Sequence, residues 1–171
     1  VATFTPTATD AISGIASLTS NPASSSTFPL GANTVTIIAT DRAGNTSTGS
    51  FTVTVRDTTP PSATLSVTPT QLWSANHKLV TITPTLTASD LAGPVTIAGP
   101  TVRSTEPIDG LGDGDTSPDW IINGTNGIQL RAERSGTGNG RTYTITYVVR
   151  DPSGNTTSVS ATVVVPKSQG K

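Results

Sequence analysis

Two stretches of the chain read as one pattern. Val35–Val55, VTIIATDRAGNTSTGSFTVTV, lies on Ile145–Val165, ITYVVRDPSGNTTSVSATVVV, without a gap. Asp41 falls on Asp151, Gly44 on Gly154, Asn45 on Asn155 and Thr46 on Thr156. Around each D-x-x-G-N core the apolar residues return at every second position. Phe51, Val53 and Val55 alternate with Thr52 and Thr54; Tyr143, Ile145, Tyr147 and Val149 alternate with Thr142, Thr144 and Thr146. A period of two places alternate side chains on opposite faces of a strand. Thr is β-branched and suits the outer face, Val and Ile the inner one. Between the strands, Asp caps its own turn, Gly takes a positive φ and Asn tolerates one. Each copy therefore predicts strand, turn, strand. No segment holds helical periodicity over three turns, so the chain reads as all-β, a sandwich or barrel of short strands.

A second repeat precedes the first. Thr5–Gly14, TPTATDAISG, resembles Thr83–Gly93, TPTLTASDLAG, with a one-residue slip before the acid. Two units of one kind thus follow each other, expected at residues 1–57 and 58–171. The prolines of Asp57-Thr-Thr-Pro-Pro61 cannot continue a ladder and mark the junction. The units are unequal. Asp10 and Asp41 are 31 positions apart, whereas Asp90 and Asp151 are 61 apart. Unit two therefore carries an insertion, placed at about residues 100–140, of a length that signals function or added structure. Unit two also has Ser62–Thr81 ahead of its first shared strand, and unit one has no counterpart before Val1. Unit one is expected to lack its first strand. That leaves an unpaired edge, which suits either a piece of a longer chain or completion by a strand from a neighbouring subunit.

Composition narrows the function. Charged residues make up 12% of the 171 residues, about half the usual share. Ser and Thr number 53, and there is no Cys or Met. Such a bias also occurs in disordered stalks, but the period-two order of the apolar residues argues for folded strands. A net charge of −1 offers no surplus of cations for nucleic acid. No apolar run reaches the roughly 18 residues of a membrane span. The lack of Cys excludes disulfide frameworks, thiolate zinc sites and Cys nucleophiles.

Phe28–Pro61, FPLGANTVTIIATDRAGNTSTGSFTVTVRDTTPP, resembles a hyalin-repeat (HYR) domain, an immunoglobulin-like β-sandwich; the resemblance starts after that family's first strand. Unit two is similar to a related module repeated in large secreted bacterial proteins. Its marks are Leu72–Val80 (LWSANHKLV), Glu106–Trp120 (EPIDGLGDGDTSPDW) and Leu130–Tyr147 (LRAERSGTGNGRTYTITY). It departs at Ser74-Ala75, where a Pro pair is expected, and it lacks the Cys pairs of animal hyalin repeats. The resemblance implies two tandem immunoglobulin-like sandwiches in a secreted or cell-surface protein. It further implies adhesion, surface architecture or spacing rather than catalysis.

The chemical signal is concentrated in the insertion. Five of the eleven acids, Glu106, Asp109, Asp113, Asp115 and Asp119, fall in fifteen residues. Such crowding is unfavourable without a cation or basic partner. Alternating Asp and Gly suits calcium, which takes six to eight oxygens from a flexible loop. The stretch does not match an EF-hand loop. These five residues are the candidate calcium ligands. The competing reading pairs them with Arg103, Arg131, Arg134 and Arg141. The two D-x-x-G-N turns have a full account in turn chemistry.

Trp73, His77 and Trp120 form a second candidate site, a carbohydrate-binding face with Asn76 and Lys78. The alternative is that each Trp fills a core and His77 satisfies a backbone group. Catalysis has little footing: His77 is the only histidine, no G-x-S-x-G elbow occurs, and only Glu106 with Glu133 suggests a glycosidase pair. Ser135–Gly140 reads as a Gly-rich hairpin loop. The expectation is a non-enzymatic extracellular structural or adhesion module stabilised by calcium. Its partners would be neighbouring domains or subunits of a surface assembly, with no nucleic acid and no membrane insertion. A fibre subunit completed by donor-strand exchange and a carbohydrate-binding accessory module of a secreted hydrolase are the alternatives.

Overall fold

The computed structural model describes residues 1–108 and 117–168. They form ten strands in three antiparallel sheets, with no helix among them. The chain divides into two compact units, Val1–Thr58 and Thr59–Lys171.

Unit one holds β1 (Ile15–Asn21), β2 (Gly31–Asp41) and β3 (Thr46–Val55), hydrogen-bonded in that order. Its buried centre is small: Phe28 and Val35 are sealed, and Phe4 packs edge-on against Phe51 with ring centroids 4.9 Å apart. Among the described residues this unit has a single sheet. The extended segment Val1–Thr9 lies outside it, joined to Ser24–Ser26 near its start.

Unit two holds β4 (Ser62–Thr68), β5 (Leu79–Ser89), β6 (Thr96–Ser104), β7 (Trp120–Asn123), β8 (Gly127–Arg131), β9 (Gly140–Arg150) and β10 (Thr156–Pro166). One sheet runs β4-β5-β8-β7 and the other β10-β9-β6. The inward residues follow the period-two pattern. Along β9, Arg141, Tyr143, Ile145, Tyr147 and Val149 are buried, while the intervening residues are not. Tyr143, Ile145 and Tyr147 meet Val163 and Val165 of β10, Ile82 of β5 and Ile128 and Leu130 of β8 in one cluster. After β4 the chain changes sheets: Val164 N–H donates to Thr70 O, and Leu72 N–H to Val164 O.

The D-x-x-G-N turns close the β2–β3 and β9–β10 hairpins with the same bonds. Asp41 Oδ1 accepts the Asn45 backbone N–H at 2.8 Å, and its Oδ2 accepts Asn45 Nδ2 at 2.8 Å. Asp151 does the same with Asn155 at 2.8 and 2.7 Å. Gly44 and Gly154 stand at φ 90° and 98°, where a side chain is strained.

The insertion supplies β7 and β8, a hairpin that lies along Leu79–Ile82 of β5. The expectation of a hairpin around Ser135–Gly140 is corrected. β8 and β9 belong to different sheets, so Ala132–Asn139 is a crossover between layers. Its far end is tightly fixed, for Gly140 has φ 107° and a Cβ there would stand 2.7 Å from Val165 O.

Candidate functional site

Three acids, Glu106, Asp119 and Glu133, meet on one buried arginine. Arg141 opens the inward row of β9 and is fully sealed from solvent. Its Nε donates to Glu106 Oε2 at 3.2 Å. Nη1 donates to Tyr143 OH at 3.0 Å and to Glu133 Oε1 at 3.5 Å, and Nη2 donates to Pro107 O at 3.1 Å. Asp119 Oδ2 lies 3.0 Å from Nη1. Neither Asp119 oxygen receives an aligned hydrogen bond from the described residues, so that tie is Coulombic rather than directional. Tyr143 OH in turn donates to Arg131 O at 2.9 Å. Glu106 Oε2 also accepts the Ser135 N–H at 2.8 Å, which fastens the crossover.

Asp119 and Glu133 are 1% and 0% exposed. Burial pushes the Glu133 carboxyl above its ordinary range. The nearby Asp119 adds to the rise, and His77 and Arg141 oppose it. Burial also pushes the Tyr143 phenol up to about 12. For Arg141, burial works against the charge, but Tyr143, Asp119 and Glu106 more than offset it and raise the pKa. A buried ion cluster of this kind costs desolvation and returns it only through good geometry. Its chemical capacity is to hold chain segments together.

His77 touches the cluster from outside. Its half-exposed ring places Nδ1 3.2 Å from Glu133 Oε2. Its N–H donates to Ala132 O at 3.0 Å, and its carbonyl accepts Arg131 Nη1 at 2.7 Å. It does so at φ 61°, in the left-handed region uncommon for a residue with a side chain.

Of the five calcium candidates, Glu106 and Asp119 face Arg141, and Asp109, Asp113 and Asp115 lie outside the described residues. Of the four arginines, Arg141 meets the acids. Arg131 Nε donates to Pro118 O at 2.8 Å, and Arg134 donates to Pro166 O and Lys167 O. Glu106 and Glu133 both hang on Arg141, and Glu133 is fully buried. The sequence reading left Glu133 out of the metal and ion-pair groups. The signal was available: the alternation Tyr143, Ile145, Tyr147 continues back to Arg141 and buries a cation, which demands carboxylates.

The two tryptophans differ. Trp73 is 45% exposed, and its neighbour Leu72 takes the core position. Trp120 is half-buried, edge-on to Tyr143 at 6.3 Å. It walls an open cleft of about 390 Å³ with Arg103, Glu106 and Ile108. In unit two a carboxylate oxygen of Asp90 also lies within 4.8 Å of one of Asp151. No helix among the described residues is long and apolar enough to cross a membrane.

Strands closed by capped turns and a charge cluster that ties segments together define an all-β module whose built features are structural. Residues 1–55 match the family model of the HYR domain. HYR domains are non-enzymatic repeats of extracellular and cell-surface, adhesion-type proteins. No curated protein matches the chain.

Proposed function

We propose that the chain is a structural and adhesive module of a cell-surface or secreted assembly, with an acidic insertion neutralised from two sides. The HYR match supports the location and the class. Arg141 is the inner neutralising group. The observation that carries the outer one is charge balance: Glu106, Asp119 and Glu133 already outnumber the guanidinium they surround. Asp109, Asp113 and Asp115 add three more acids to the same insertion. Calcium is the cation that fits such an oxygen-rich, Gly-rich stretch, and modules outside the cell bind it at roughly 10⁻⁴–10⁻³ M.

The surface assignment is tested by labelling intact and permeabilised cells of the source with an antibody to this chain. Equal labelling of both is expected. Labelling only after permeabilisation would refute it.

A second reading has one observation in its favour. Trp73 stands exposed, and Trp120 walls an open cleft, as a sugar-binding face requires. Retardation in gels containing polysaccharide, lost on Trp73→Ala or Trp120→Ala, tests that reading.

A further inference from the structure

Three asparagines of the chain are followed by glycine: Asn123, Asn126 and Asn139. All three are exposed, and among the described residues their side chains make no hydrogen bond. The other asparagines are held or blocked. Asn33, Asn45 and Asn155 donate through their side-chain amides, and Asn76 accepts the Lys78 N–H. Asn21 precedes Pro22, which has no N–H.

Asn is a thermolabile residue, and its amide reacts with the backbone nitrogen that follows it. That nitrogen attacks Cγ, and the new N–Cγ bond closes a succinimide ring. The Cγ–Nδ2 bond breaks, and Nδ2 leaves as ammonia with the proton that the backbone nitrogen gives up. Water then opens the ring. Opening at the side-chain carbonyl yields Asp; opening at the main-chain carbonyl yields isoaspartate, whose backbone runs through Cβ and Cγ. Water is the sole co-reactant. A following Gly helps because no Cβ shields its nitrogen. By sequence the three Asn-Gly pairs are therefore alike.

The fold separates them. Gly127 lies in β8 opposite Asn123, and a Cβ on it would run into Asn123 O. Gly140 lies in β9 opposite Pro166, wedged against Val165 O. Gly124 stands instead in the turn between β7 and β8, at φ 67° and with open space where a Cβ would be. Among the described residues its N–H meets no acceptor. We infer that Asn123–Gly124 is the site of spontaneous succinimide formation in the folded chain. The other two pairs react only after a paired strand opens locally. The consequence follows from where the hairpin is tied. Thr125 O accepts the Tyr147 OH, and β7 begins at Trp120, next to Asp119. Conversion places a carboxylate on this hairpin. In its isoaspartate form it also lengthens the backbone at the residue paired with Gly127, which loosens β7. This inference stands apart from the surface-module reading.

The test ages the full chain at mildly alkaline pH, once folded and once in urea. Peptide mass spectrometry with fragmentation follows the change from amide to acid at Asn123, Asn126 and Asn139 separately, and an isoaspartyl methyltransferase reports the isoaspartate. In the folded chain Asn123 should convert about tenfold or more faster than the other two, which wait for local opening. In urea the three rates should draw together. The melting temperature of the aged wild type should fall, and Asn123→Gln should remove both the fast conversion and the fall. Earlier conversion of Asn126 or Asn139 in the folded chain would overturn the assignment. So would the same spread of rates in urea, or an Asn123 that stays intact in the folded chain while it converts in urea.

Discussion

Arg141 Nη1 stands 3.0 Å from Asp119 Oδ2, and both side chains are closed to solvent. The two residues come from different parts of the insertion region, one at the start of β9 and one just before β7. Their contact fixes where the insertion re-enters the sandwich. The same guanidinium holds Glu106 and Glu133, so one cation organises three separate segments.

Removing that cation should be far more damaging than a surface substitution. Arg141→Met leaves Asp119 and Glu133 buried without their counter-charge, and breaking a buried ion cluster from one side costs about 3–5 kcal/mol. Urea unfolding followed by the tryptophans, both of which lie in unit two, should show a much lower midpoint. Arg141→Lys should recover only part of the loss, because a point ammonium cannot reproduce the fork that reaches Glu106 and Tyr143.

Glu133 ties stability to pH. Its pKa is raised in the fold, so the folded chain holds more protons than the unfolded one between the ordinary carboxylate range and the raised value. The stabilising contribution is full below the ordinary value and is lost as pH rises through the raised one. Glu133→Gln mimics the protonated carboxyl and should flatten this decline. Melting temperatures across mildly acidic to neutral pH, wild type against variant, measure the difference.

The paired turns behave in the opposite sense. Hydrogen bonds from the Asn45 side chain hold Asp41 below its ordinary range. For Asp151 burial pushes upward, but the bonds from Asn155 and the turn backbone prevail and lower it. Each therefore contributes stability above the ordinary Asp value, lost as pH falls through the lowered one. Asp151→Ala should lower the melting temperature of unit two and remove part of its acid sensitivity. Asp41→Ala should do the same, more weakly, in unit one, because Asp151 is buried and Asp41 is not.

The local features were legible in the sequence. Alternation gave β2, β3, β9 and β10, and the D-x-x-G-N turns appear with the bonds their chemistry requires. Positions that depend on distant partners were not. Nothing local says that β8 joins β5 while β9 joins the other sheet, so Ser135–Gly140 read as a hairpin loop. The acids of the insertion had two readings, metal or arginine. That Arg141 is the arginine that Glu106 and Asp119 face depends on the packing of distant segments. Trp73 and Leu72 are neighbours in the connection between β4 and β5, and Leu72 is buried there while Trp73 stands exposed.

The calcium part of the account is tested most directly by the thermal melt of the purified chain in EDTA and in millimolar calcium, with magnesium as control. Binding to the native state alone at about 100 times Kd adds about 2.7 kcal/mol, a shift of several degrees for a chain of this size. The account predicts a calcium-specific rise that disappears in the double variant Asp113→Ala, Asp115→Ala. Superimposable melts with and without calcium would contradict it and leave Arg141 as the insertion's neutralising group.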